Sequence, residues 1–333
     1  MEILGESWMK FLGKYLFMLS LTIPGGHGAA VAETVDAISL EDLRVKYANS
    51  DSQYMDVDGI EIHYKDQGSG PPVVLLHASY FNLRAWDGLT DALKDDFRVI
   101  RFDFPAVGLS GMDTKKKESM KRNEEVLGQL VDALGLESFS LVGTSSGGIV
   151  AFRYASKNPE RITRFVLINS AGMPRTAQTD PNRSNARFEK YQDMPLKPQA
   201  FWEESLDVNF IDPNEPPDWV PEMLYDVHRR DDFLESTGRF VYKTGDPQTE
   251  LAKIQSPTLI MWGKNNPTVV HLEADVFQHW MTGAPSVVKK YPGTGHYPYL
   301  EKPKLLEGDI RVFLLGEMDD ELRQTQMARP SDL

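Results

Sequence analysis

Short uninterrupted apolar runs, separated by stretches in which apolar positions recur every three or four residues, set the rhythm of this chain. Val73–His77, Phe97–Phe104, Phe139–Val142, Phe165–Ile168, Thr258–Trp262 and Ser286–Tyr291 have the character of strands buried on both faces. Asn123–Leu134 places Val126, Leu127, Leu130 and Leu134 on one helical face, and Ile149–Lys157 reads as a helix that Pro159 stops. Ahead of these, Asp51–Asp66 holds two alternating stretches about the turn signal Asp58-Gly59, which predicts an antiparallel hairpin. The alternation as a whole predicts an α/β fold: a mostly parallel central sheet flanked by helices. Right-handed crossovers then gather the strand C-termini, and any active site, on one edge of that sheet.

Residues 174–249 break the rhythm. They are rich in Pro, Asn and Asp, and their aromatic residues lack strand alternation. This predicts a mainly helical insertion lying over the sheet edge, with most of the aromatics forming its own core. The sheet domain then falls into two parts, 33–173 and 250–316, followed by a polar C-terminal tail at 317–333. Residues 1–32 read differently again. Lys10 and Lys14 precede the apolar run Tyr15–Pro24, and Ala30-Val31-Ala32 ends the segment. Positive charge, a short apolar stretch and A-x-A form the export-signal pattern, and the run is too short to span a membrane. Met9 makes a better start than Met1, because Glu2 and Glu6 spoil the positive region. The expectation is an exported protein, periplasmic or secreted, without a stable membrane span after cleavage; a cytoplasmic protein with an amphipathic extension is the other reading.

Composition narrows the chemistry. The 333 residues include no cysteine, which excludes disulfides, zinc–thiolate sites, iron–sulfur clusters and cysteine nucleophiles. With 49 acidic against 36 basic side chains the net charge is -13, so nucleic acid is not an expected partner. The one basic cluster, Lys115-Lys116-Lys117 with Lys121 and Arg122, is interleaved with Glu118 and reads as a solvated face. No G-x-G-x-x-G follows a strand, and there is no phosphate loop or H-E-x-x-H, so no cofactor or metal is expected.

The sharpest local signal is Leu141–Gly148, in which a strand runs into G-x-S-x-G and a helix follows. A nucleophile at the apex of so tight a turn has strained backbone, and its neighbours two residues either side must lack a Cβ. Gly143 and Gly147 flank Ser145 in this way, whereas Ser146 has Thr144 behind it; Ser145 is the candidate nucleophile. A serine hydroxyl needs a base. Of the seven histidines, His296 in Pro292–Pro298 follows the last predicted strand, on the same sheet edge as Ser145. An oxyanion needs fixed donors. The expected pair is the Ser146 N–H, at the start of the elbow helix, and the Ser79 N–H, in the loop after Val73–His77.

From about Tyr54 to Phe313 the chain resembles the α/β-hydrolase superfamily with a helical cap. The matching pieces are V-V-L-L-H-A-S, R-V-I-R-F-D-F-P-A-V-G-L-S-G, L-V-G-T-S-S-G-G, P-T-L-I-M-W-G-K-N-N-P and Y-P-G-T-G-H-Y-P-Y-L-E-K-P, in the family's order. The resemblance implies Ser145 as nucleophile, His296 as base, Ser79 and Ser146 as oxyanion donors, and a structural rather than catalytic Asp103. Two positions depart from the pattern: Ala78 replaces the usual glycine of H-G, and Asn266 stands where W-G-x-x-D has its acid. An amide orients the histidine without stabilising the imidazolium by charge, and an Asp→Asn change at such a position can cost about 10⁴ in rate. Asn266 as orienting residue, a substitute carboxylate from Glu273 or Asp275, and no fixed third member are all compatible with the sequence. Asp246 precedes its strand, at the wrong edge. The function implied is serine hydrolysis of a small-molecule carboxylic ester through an acyl-serine. Carbon–carbon bond hydrolysis on the same fold is one alternative; a hydrolase-derived binding protein with weak turnover is the other.

Overall fold

The computed structural model describes residues 35–173, 188–191, 193–212, 216–237, 240–241 and 245–327. The expected signal segment and part of the expected insertion therefore lie outside the described residues. Asp58 (φ 56°) and Gly59 (φ 82°) both adopt left-handed backbone, the geometry of a tight hairpin turn, and join β1 (Gln53–Val57) to β2 (Ile60–Gln67) in an antiparallel pair. The apolar runs follow as β3 (Pro72–Leu76), β4 (Arg98–Phe102), β5 (Phe139–Thr144), β6 (Ile162–Ile168), β7 (Thr258–Gly263) and β8 (Ser286–Tyr291). They form one sheet in the order β1-β2-β4-β3-β5-β6-β7-β8, parallel from β4 onward, with β2 antiparallel to β4.

The helices are α1 (Leu40–Tyr47), α2 (Asp87–Leu93), α3 (Met120–Ala133), α4 (Ser145–Lys157), α5 (Gln199–Asn209), α6 (Trp219–His228), α7 (Phe233–Thr237), α8 (Pro247–Ala252), α9 (Glu273–Trp280), α10 (Pro298–Glu301), α11 (Pro303–Leu314) and α12 (Asp319–Met327). Two apolar layers sandwich the sheet. One joins Val74, Leu76 and Leu141 to Leu127 and Leu130 of α3, Val150 of α4 and Phe277 of α9. The other joins Val73, Leu75, Val142 and Val166 to Leu89 of α2 and Ile310 and Phe313 of α11, and continues into Trp202 of α5 and Met223 of α6. Burial of both sheet faces accounts for the uninterrupted apolar runs.

Between β6 and β7 the described residues form α5, α6, α7 and α8. Trp202 and Phe210 are buried, and Trp202 stacks on His228 at 4.0 Å between ring centroids. The segment is joined to the sheet edge below it: the Asn209 carbonyl accepts from the His296 N–H (2.8 Å), and Phe210 contacts Tyr297. The C-terminal segment differs from the polar tail expected at 317–333. Residues Asp319–Met327 are helical, with Met318 and Leu322 buried one turn apart and Asp319 paired with Arg164 at 2.9 Å. Two apolar anchors are too few to register as a period in sequence but suffice to dock one helix. Among the described residues no helix is long and apolar enough to cross a membrane.

Candidate active site

β5 ends on Thr144 and α4 begins on Ser145, with no residue between them. The turn holds Ser145 at φ 50°, a conformation costly for a side-chain-bearing residue and maintained here by crowding on both sides. A Cβ on Gly147 would lie 2.4 Å from the His77 carbonyl oxygen, and one on Gly143 would lie 2.7 Å from the Ala151 Cβ. Only glycine fits at either position. The Ser145 hydroxyl thus projects from the C-terminal edge of the sheet, half-buried.

His296 lies in the loop between β8 and α10, and three groups fix that loop. Its own N–H donates to the Asn209 carbonyl; the Glu301 carboxylate accepts from the N–H groups of Gly295 (2.7 Å) and Tyr297 (3.1 Å); and the Asn169 amide donates to the carbonyls of Gly295 (3.0 Å) and His296 (2.9 Å). Asn169 Oδ1 accepts from the Gly263 N–H (2.9 Å), which ties the ends of β6 and β7 to the same loop. The position after β6, where some members of the superfamily carry the acid, holds Asn169, and neither it nor Glu301 stands out in the sequence as a support for this loop. A carboxylate five residues after the histidine and an asparagine directly after β6 were the available signals, but neither gives away which backbone groups it will meet.

The ring is aimed at both neighbours. His296 Nε2 lies 3.1 Å from Ser145 Oγ, and Nδ1 lies 3.1 Å from Asn266 Oδ1. Asn266 Oδ1 also accepts from the N–H groups of Thr268 (2.9 Å) and Val269 (3.0 Å), which fixes this oxygen as the acceptor. The ring proton therefore sits on Nδ1, and Nε2 is left with its lone pair toward the serine. Burial holds the His296 pKa down from 6.5 to about 3, so the neutral ring prevails at ordinary pH. Among the described residues the buried Asn266 Nδ2 has no hydrogen-bond partner. Neither alternative acid reaches the histidine: Asp275 pairs with Lys290 at 2.5 Å, and Glu273, pushed up to about 7 by burial, makes no contact with His296. Asp246 caps α8, accepting from the Thr249 N–H.

The two residues expected as oxyanion donors are bonded to each other, a contact that the sequence did not anticipate. The Ser79 N–H is not free; it donates to Ser146 Oγ at 2.7 Å, and the Ser79 hydroxyl donates to the same oxygen at 2.8 Å. Ala78 needs no positive φ, so its methyl is accommodated. His77 braces this loop as a neutral ring: Nδ1 donates to the Ala78 carbonyl and Nε2 accepts from the Phe104 N–H. Asp103 is structural by its contacts, accepting from the N–H groups of Leu83 (2.7 Å) and Leu109 (2.8 Å) and from His63 Nδ1 (2.8 Å).

Residues 71–303 match the family model described as the alpha/beta hydrolase fold. A pimeloyl-(acyl-carrier protein) methyl ester esterase of Nitrosomonas europaea is 27% identical over 262 residues, which cover 73% of this chain and 95% of that protein. A 2-hydroxy-6-oxononadienedioate/2-hydroxy-6-oxononatrienedioate hydrolase of Pseudomonas putida is 26% identical over 267 residues, covering 73% and 87%. Among solved structures, a meta-cleavage product hydrolase from Pseudomonas fluorescens IP01 superposes with a TM-score of 0.69 at 21% identity, over 80% of this chain and 98% of that one, and shares the fold.

Proposed function

This chain belongs to the alpha/beta-hydrolase fold family, and from that premise we propose that it is a serine hydrolase of small carboxylic esters, working through an acyl-Ser145 intermediate. The observation that carries the reading is the continuous contact from Ser145 Oγ through the His296 ring to Asn266 Oδ1. Ser145 Oγ attacks the ester carbonyl carbon as its proton passes to His296 Nε2. The carbonyl oxygen, now negative, displaces the Ser146 hydroxyl from the Ser79 N–H and is held there and by the Ser146 N–H. Collapse breaks the ester bond, and the leaving alkoxide takes the proton from His296. Water then attacks the acyl-serine, giving its proton to His296; the second collapse releases the acid and returns the proton to Ser145. Asn266 orients the ring but carries no charge to offset the imidazolium, which favours esters, with their good leaving groups, over amides. The helices between β6 and β7 serve as a cap over this edge, and residues 1–32 direct export.

The relative named as a 2-hydroxy-6-oxononadienedioate hydrolase supports a second reading, in which the same residues cleave a carbon–carbon bond of a 2-hydroxy-6-oxo-dienoate. Turnover of p-nitrophenyl acetate and of such a dienoate, each compared with Ser145→Ala, separates the readings. Ester turnover lost in the variant is the expected result. Dienoate turnover alone selects the second reading, and no Ser145-dependent turnover of either substrate overturns both. N-terminal sequencing of the exported protein, expected to begin at Glu33, tests the signal.

A further inference from the structure

The loop that carries Ser79 contains a residue its backbone does not favour. The Phe81 N–H donates to the Ala78 carbonyl at 3.2 Å, which closes a four-residue turn over Ala78, Ser79, Tyr80 and Phe81. Tyr80, the third residue, stands at φ 73°. Positive φ at that place marks a type II turn, where glycine is the usual occupant. A bulky aromatic residue there is an outlier, and backbone strain of this kind persists only where the surroundings hold it.

The helices between β6 and β7 supply that hold. The Tyr80 ring meets Trp202 of α5 edge-on at 5.5 Å between centroids and His228 of α6 edge-on at 5.7 Å. This platform is rigid. Trp202 and His228 are buried and stack at 4.0 Å, His228 Nδ1 donates to the Leu224 carbonyl at 2.7 Å, and Phe233 packs edge-on against the imidazole at 5.0 Å. Tyr80 itself is 47% exposed, so full burial is not what its ring gains by standing in a strained turn. On its inner side the same turn presents the Ser79 N–H and hydroxyl to Ser146 Oγ. The elbow helix thus grips the second residue of the turn, and α5 and α6 grip the third.

We infer that Tyr80 is a positioning residue for the ester hydrolysis proposed above, on which this role depends: its ring fixes the turn against α5 and α6, so that the Ser79 N–H meets the carbonyl oxygen once the Ser146 hydroxyl is displaced. The aromatic ring rather than the phenol hydroxyl makes the contacts with Trp202 and His228. Glycine at position 80 suits the backbone better, but it leaves the turn without a side chain for α5 and α6 to grip. The donor matters most as negative charge develops on the carbonyl oxygen, so a displaced turn lowers kcat and leaves KM in place.

The test compares steady-state hydrolysis of p-nitrophenyl acetate by the full chain with that of Tyr80→Phe, Tyr80→Gly and Tyr80→Asn, taking Ser145→Ala as background. Tyr80→Phe keeps the ring and is expected to match the wild type in kcat and KM. In Tyr80→Gly kcat falls at least about tenfold at unchanged KM, a part of the roughly 10²- to 10³-fold that outright loss of one oxyanion donor costs. Tyr80→Asn also tolerates left-handed backbone and is expected to lose kcat in the same way. With the wild type active, equal kcat in Tyr80→Gly, a rise in KM at constant kcat, or the same loss in Tyr80→Phe overturns the positioning role alone. Absence of Ser145-dependent turnover in the wild type overturns the ester reading and the positioning role with it. Failure of both Tyr80→Gly and Tyr80→Asn to fold, followed by urea unfolding, also overturns the positioning role, because the ring would then be a requirement of the fold.

Discussion

Replacing Asn266 with aspartate puts a carboxylate into the one position where the site lacks charge. In the wild type, burial takes the His296 pKa from 6.5 to about 3. At ~1.36 kcal/mol per unit, forming the imidazolium in the buried site therefore costs about 5 kcal/mol more than in water. The Asn266 oxygen 3.1 Å from Nδ1 offsets this only as a neutral dipole. A full charge about 4 Å from the ring centre, at the effective dielectric of a protein site, is worth roughly 4 kcal/mol. Desolvating the new carboxylate takes back part of that. The net expectation is a rise in kcat/KM of about 10- to 10³-fold, consistent in sign with the loss known for the reverse change in serine proteases.

The local bonding favours the exchange. Aspartate Oδ1 inherits the N–H groups of Thr268 and Val269, and Oδ2 replaces an Nδ2 that already has no partner, so no hydrogen bond is lost. Steady-state hydrolysis of p-nitrophenyl acetate between pH 4 and 9 provides the assay. A general base works only when deprotonated, so the wild-type acid limb lies near pH 3 and the profile is flat above it. In Asn266→Asp the added negative charge raises the His296 pKa, the acid limb moves up toward neutrality and the plateau above it rises. A folded variant with an unchanged or lower plateau, or with an unmoved acid limb, would show that Asn266 is not the position that limits the charge on His296.

Glu301→Gln keeps one acceptor for the Gly295 and Tyr297 N–H groups and turns a donor toward the other; kcat falls about 10- to 10²-fold through misplacement of His296, with KM little changed, by the same ester assay. In Gly147→Ala the new Cβ meets the backbone oxygens of His77 and Leu76, costing about 1–3 kcal/mol in urea unfolding and abolishing turnover. His296 and His228 are both buried neutral, with pKa values of about 3 and about 4. The unfolded chain protonates them near 6.5, so their stabilisation is complete above that pH and declines as pH falls toward 4, by up to ~1.4 kcal/mol per pH unit for each. His228→Phe, which keeps a ring against Trp202, is expected to flatten urea-denaturation stability between pH 6.5 and 4.

What the sequence made legible was what local rules determine. Asp58-Gly59 announced its turn because two consecutive positive φ values suit few other pairs. The strand runs announced a sheet buried on both faces, and G-x-S-x-G exposed Ser145 because only glycine survives 2.4 and 2.7 Å from neighbouring atoms. The supporting residues were illegible because they act on distant backbone. Asn169 joins the loop that carries His296, more than 120 residues away, and Glu301 matters for the two N–H groups that the loop turns toward it. The bond between the Ser79 N–H and Ser146 Oγ depends on a rotamer, which no motif encodes.

Everything proposed for this site rests on Ser145 as the nucleophile activated by His296. Incubation with a fluorophosphonate probe, followed by peptide mass spectrometry, tests it directly. The expected result is a single phosphonylated residue, Ser145, with labelling abolished in Ser145→Ala and slowed in His296→Ala. Labelling at another serine, or none in the folded wild-type protein, would contradict it.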